Sequence, residues 1–72
     1  MLLKKGIYRH YKGNLYELVE IATHSETLEK MVVYRALYGE KTLWVRPIRM
    51  WDEEVFVQGE KVKRFTLVEE KE

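Results

Sequence analysis

"MVVYRALYGEKTLWVRP", residues 31–47, decides between a helical and a β-sheet reading of the chain. As helix, Ser25 caps a segment in which Leu28, Met31, Val32, Arg35 and Tyr38 share one face and Gly39 ends it. As sheet, two runs rich in Val, Tyr, Leu and Trp flank a glycine turn, and branched and aromatic side chains suit a pleated surface. The sheet reading explains both runs together, so the stretch is expected to be a β-hairpin. A two-residue turn at Gly39-Glu40, with Gly39 at positive φ, pairs Tyr38 with Lys41, Ala36 with Leu43, Arg35 with Trp44, Tyr34 with Val45 and Val33 with Arg46. One face then collects Val32, Tyr34, Ala36, Tyr38, Leu43 and Val45 as core. The other carries Val33, Arg35, Leu37, Trp44 and Arg46, with two guanidinium groups flanking an exposed indole. A three-residue turn moves the register and mixes the two sets.

Working outward, Gly6, Gly13-Asn14, His24-Ser25, Gly39-Glu40 and Gly59 punctuate the sequence at strand-length intervals. The runs Ile7–Tyr11, Leu15–Thr23, Met31–Tyr38, Thr42–Arg46 and Lys61–Val68 are rich in β-formers, so about five short strands are expected in a small antiparallel barrel. "PIRMWDEEVF" is less periodic and is expected to form an irregular or helical turn before the last strand. In "GIYRHYKGNLYEL", residues 6–18, Gly13 and Asn14 tolerate a tight turn between two strands. Alternation there sends Ile7, Arg9 and Tyr11 to one face and Tyr8, His10 and Lys12 to the other.

A chain of 72 residues is expected to be one domain, residues 1–72, with a thin core, since a domain of this size buries only about 60% of its unfolded surface. It has no cysteine, which excludes disulfide staples and thiolate metal sites and favours a reducing cytoplasm. No apolar run approaches a membrane span, so a soluble chain with no membrane partner is expected. The net charge of +1 conceals blocks: residues 1–14 are purely basic, 15–30 mostly acidic, 31–51 mostly basic and 52–60 purely acidic. Folding is expected to interleave them, and the near-neutral total argues against avid polyanion binding.

The motifs YRHYKGN, HSETLE, VVYRALYG and LWVRP, in this order and spacing, resemble domain-of-unknown-function family 1653, over about Gly6 to Phe65. The chain departs from the family pattern at Lys63, where a proline often precedes the terminal Arg-Phe, and at Lys41-Thr42, where the turn is often glycine-rich. The resemblance implies a small bacterial SH3-like β-barrel and brings no catalytic residues, activity or cofactor with it.

"HSET" invites a minimal hydrolase with His24 activating Ser25 or Thr27. Neighbouring residues on an extended chain point oppositely, however, and no acid is placed by sequence to orient the imidazole. The simpler expectation is that the Ser25 and Thr27 hydroxyls bond local amides and fix a turn. With only His10 and His24 as imidazoles, neither a metal site nor a cofactor is expected, and no glycine-rich phosphate loop is present. What remains is a surface of Arg9, Tyr11, Arg35, Trp44 and Arg46, where planar cations beside aromatic rings suit a protein or peptide partner. The expectation is therefore a non-catalytic interaction module, with single-stranded RNA as the alternative partner.

Overall fold

The computed structural model describes residues 3–71. The chain is all-β apart from one helical turn: β1 (Gly6–His10), β2 (Leu15–Thr23), β3 (Lys30–Ala36), β4 (Leu43–Pro47), α1 (Ile48–Trp51), β5 (Glu54–Val57), β6 (Glu60–Lys63) and β7 (Phe65–Glu70). Five strands form an antiparallel sheet in the order β4-β3-β2-β1-β7, and β5 and β6 pair separately as a hairpin. Among the described residues the ladders do not close, so β4 and β7 are both edges.

Alternation assigns the inner face, and two bulges keep it in phase. Tyr8 faces Tyr16 across β1–β2, while Ala36 and Tyr34 face Tyr16 and Leu18 across β2–β3. Between Leu18 and Glu20 the register slips, leaving Val19 unpaired, so that Leu18 and Ile21 both point inward although three residues separate them. A second slip leaves Val68 unpaired between Tyr8↔Leu67 and Ile7↔Glu69. Gly6 is needed where β1 begins: its φ is +151°, and a Cβ there would run into the Glu69 carbonyl of β7.

The core is aromatic. Pro47, with φ fixed for a helix start, precedes the single turn of α1, which carries Trp51 over the inner face. There the indole stacks on Phe65 at 3.7 Å and 4° and meets Tyr8 and Tyr34 edge-on at 5.2 and 5.0 Å. Leu18 and Val32 complete the fully buried set with Trp51. The helical turn expected in the 47–56 stretch is thus present, and it supplies the lid of the core.

Two expectations are corrected. The Tyr38 carbonyl accepts from the Lys41 amide around Gly39, which has φ +59°, but Lys41 is itself left-handed at φ +56°. That extra turn residue moves the ladder by one, pairing Arg35 with Leu43, Tyr34 with Trp44, Val33 with Val45 and Val32 with Arg46. Leu43 and Val45 therefore leave the expected core and are exposed, as is Tyr38. The expected final strand, residues 61–68, is broken at Arg64 into β6 and β7, and β6 pairs with a strand, β5, that begins inside the stretch expected to be an irregular or helical turn.

Candidate binding groove

Gln58 and Gly59, at φ +51° and +81°, form the two-residue loop that closes the β5–β6 hairpin, the geometry of a type I′ turn. The bend at Arg64 pins the base of this hairpin to the main sheet. Arg64 donates its amide to the Glu53 carbonyl at 3.0 Å and pairs with the Glu53 carboxylate at 2.6 Å, while its carbonyl accepts from the Tyr11 amide at 2.9 Å. The hairpin stands off the end of β1 and β7, and a groove of about 480 Å³ lies between them.

Four aliphatic side chains line it, Val57 and Val62 from the hairpin and Leu67 and Val68 from β7. Arg9 and Lys63 supply the cations, and His10 and Tyr11 the aromatic margin. Six of the thirteen cations find acids among the described residues, Lys4–Glu70, Lys5–Glu20, Arg49–Glu29, Lys61–Glu54, Arg64–Glu53 and Lys71–Glu17, and of these Lys5–Glu20 and Arg49–Glu29 join blocks of opposite sign. Arg9 and Lys63 make no ion pair among the described residues, as is also true of Lys12, Lys30, Arg35, Lys41 and Arg46, and they are the two of these that line the groove.

His10 is held in the seam between groove and core. Its Nδ1 accepts from the Lys12 amide at 3.2 Å, and its ring lies against Tyr11 and Phe65 at 4.5 and 5.0 Å. Partial burial and the nearby Arg64, Arg46 and Lys12 charges hold its pKa below the usual imidazole value. On β2, burial and a 2.6 Å hydrogen bond with Tyr38 push the Tyr16 phenol up to about 12.

The five residues singled out from sequence do not share one surface. Arg9 and Tyr11 line the groove. Arg35 lies on the outer face opposite Glu17 and Leu43, donating to the Lys41 carbonyl at 3.2 Å. Arg46 lies on the inner face with its guanidinium 5.8 Å from the Tyr34 ring centre and 5.6 Å from that of Phe65, donating to the Tyr34 hydroxyl and the Met50 carbonyl. Trp44 is exposed, as expected, but opposite Tyr34, so Arg35 does not flank it. The one-residue turn difference at Lys41 is the cause.

At "HSET" it is the His24 ring that fixes the turn: Nδ1 accepts from the Glu26 and Thr27 amides at 3.1 and 3.3 Å. Thr27 Oγ1 accepts from the Glu29 amide, as expected. Ser25 makes no side-chain hydrogen bond among the described residues, so only half of the expected hydroxyl pair acts on the turn. Among the described residues no three of His, Cys, Asp and Glu converge as metal ligands, and no helix is long and apolar enough to cross a membrane.

Comparison with known proteins agrees with the resemblance in the motifs. The model of the DUF1653 family, proteins of unknown function, matches residues 6–67. The chain belongs to this family. The crystal structure of a DUF1653 protein from Bordetella bronchiseptica is similar to it at 35% sequence identity with a TM-score of 0.87, covering 97% of this chain and 92% of that one. No curated protein matches the chain. The stretch matched by the DUF1653 model contains β1 through β6 whole and β7 to Leu67, hence every residue of the groove except Val68.

Proposed function

We propose that the chain is a non-catalytic interaction module of SH3-like architecture, acting in the bacterial cytoplasm, whose groove between β7 and the β5–β6 hairpin takes an extended, acidic and aliphatic protein segment. The observation that carries this reading is the pairing of an aliphatic groove floor with two cations, Arg9 and Lys63, that no acid of the described chain neutralises. Apolar burial supplies affinity there, and unpaired cations at its margin select the sign of the partner's charge. The absence of cysteine accords with a reducing compartment. A second reading, single-stranded RNA, draws on exposed Tyr11 with Lys12 Nζ 5.8 Å from its ring centre beside Arg9.

Fluorescence anisotropy with three labelled probes tests the proposal: a decapeptide alternating valine and glutamate, its valine–lysine counterpart, and an oligouridylate of ten nucleotides. Binding of the glutamate peptide, lost in an Arg9→Glu/Lys63→Glu variant that keeps its circular dichroism, is the expected result. Preference for oligouridylate with steep loss of affinity in salt would transfer the groove to the RNA reading. No binding of any probe up to about 1 mM would defeat both.

A further inference from the structure

We propose that two copies of this chain associate through β4, paired antiparallel about a two-fold axis at Val45, so that the two five-stranded sheets become continuous. This inference is independent of the groove. It begins with the direction of the backbone groups. The Ala36 amide donates to the Thr42 carbonyl at 3.1 Å, which makes 36/42 a hydrogen-bonded pair. Alternation along the unbulged ladder puts Tyr34/Trp44 and Val32/Arg46 in the same class. Leu43 and Val45 fall in the intervening pairs, so their N–H and C=O groups point away from β3 toward the open edge.

The edge is complementary to itself. With Val45 opposite its own copy, the two valines exchange N–H···O=C bonds, and each Leu43 amide meets the carbonyl of the partner's Pro47. Pro47 has no N–H to offer in return, so the new ladder stops there. On the inner face Trp44 comes opposite the partner's Arg46, in the pair class where side chains approach most closely. An indole against a planar guanidinium is a favourable pairing, and Arg46 is already oriented by the Tyr34 hydroxyl and the Met50 carbonyl. On the outer face Leu43 meets Pro47, and Val45 meets Val45. No like charges stand directly opposite, because Arg46 is the only ionisable residue of the strand.

The rest of the molecule shows how an edge is protected when pairing is to be avoided. β7 carries the bulge at Val68 and ends in Glu69-Glu70, whereas β4 has no bulge, lysine or acid, and exposes 49% of Leu43, 52% of Trp44 and 60% of Val45. A five-residue strand buries less than the ~800 Å² per partner of a standard interface. The association is accordingly weak and concentration-dependent.

Sedimentation equilibrium from about 10 µM to about 1 mM should show the average mass of the wild-type chain climbing toward twice that of the monomer. Val45→Lys, which sets two ammonium groups face to face on the axis, should stay monomeric with an unchanged circular dichroism spectrum. Cysteine cross-linking gives a reading that does not depend on how Val45→Lys folds. Facing residues of a hydrogen-bonded pair lie ~5.5 Å apart at Cα, inside the disulfide range of about 4.4–6.8 Å. Because the natural chain has no cysteine, Val45→Cys should form a disulfide dimer at least ~10-fold faster than Phe56→Cys, whose position on the distant hairpin is more exposed. A wild-type mass constant through the whole range, a folded Val45→Lys that associates like the wild type, or equal cross-linking rates would each overturn the proposal.

Discussion

The two edges of the sheet differ in what they offer a partner. β4 is regular and apolar, with unpaired peptide groups pointing into solvent and Trp44 beside them. β7 is bulged at Val68, ends in two glutamates, and is backed by a hairpin that turns the adjoining space into a groove with unpaired cations. A regular edge recognises backbone, and so suits another strand; a groove recognises side chains, and so suits a particular sequence. Both edges rest on one support. Phe65 opens β7, Arg46 of β4 lies over the Phe65 ring, and Trp51 stacks beneath it.

That shared support sets the most damaging substitution. Trp51→Ala removes the stack from under both edges and should cost about 3–5 kcal/mol, most of the stability of so small a domain, whereas Trp44→Ala should cost less than about 1 kcal/mol. Urea denaturation of the two variants measures the difference, and equal losses would dissolve the distinction between the tryptophans. Gly6→Ala comes next: the new methyl collides with the Glu69 backbone and should loosen β7 while leaving β4 paired. Amide exchange that accelerates across β7 and β1 and not across β4 is the expected signature. Gly39→Ala, where space is open but φ is +59°, should cost only about 1 kcal/mol through backbone strain. Its effect should be confined to the β3–β4 turn.

Ionisation gives the smallest effects and separates the groove side from the β3–β4 turn. The unfolded imidazole of His10 takes up a proton near its ordinary pKa of 6.5, while the folded one resists. Its contribution to stability is therefore complete above 6.5 and is lost as the pH falls toward the lower folded value. Proton NMR should find His10 titrating below 6.5; a value at or above it would remove the neutral, amide-accepting ring from the groove margin. For Tyr16 the sign is reversed in pH. With the folded phenol pushed up to about 12 from 10.0, stability is complete below 10.0 and declines between those values as the unfolded phenol ionises first. Tyr38→Phe removes the hydroxyl partner and should lower the Tyr16 pKa, as read by ultraviolet titration of the phenolate.

How much could be read in advance follows the same division. β1, β2 and β3 were legible because alternating aromatic and branched residues lie between glycine turns, and Tyr8 and His10 point inward as alternation requires. The bulge at Val19 was not, since a valine among other β-forming residues carries no mark of being unpaired. The β4 register failed at Lys41, because lysine gives no compositional sign of a left-handed backbone. The β5–β6 hairpin was hidden by its acids and by Gln58, an uncommon occupant of a turn position that usually takes Asn or Asp. Of the candidate site, Arg9 and Tyr11 were identified as chemistry, but the groove around them exists only once the hairpin folds back beside β7. The signal that could have located it is Gln58-Gly59 directly after "EVFV", whose last three residues are β-formers, whereas "EKVK" offers only Val62.

The central claim, that the groove, and not the β4 edge offered to a second copy, receives the partner's acidic segment, is tested most directly by titrating isotope-labelled protein with the valine–glutamate decapeptide and mapping its amide chemical-shift changes. The account predicts the largest changes at Tyr11, Val62, Lys63, Thr66 and Val68, with Leu43–Arg46 unmoved. Changes concentrated on Leu43–Arg46, or none at saturating peptide, would contradict it.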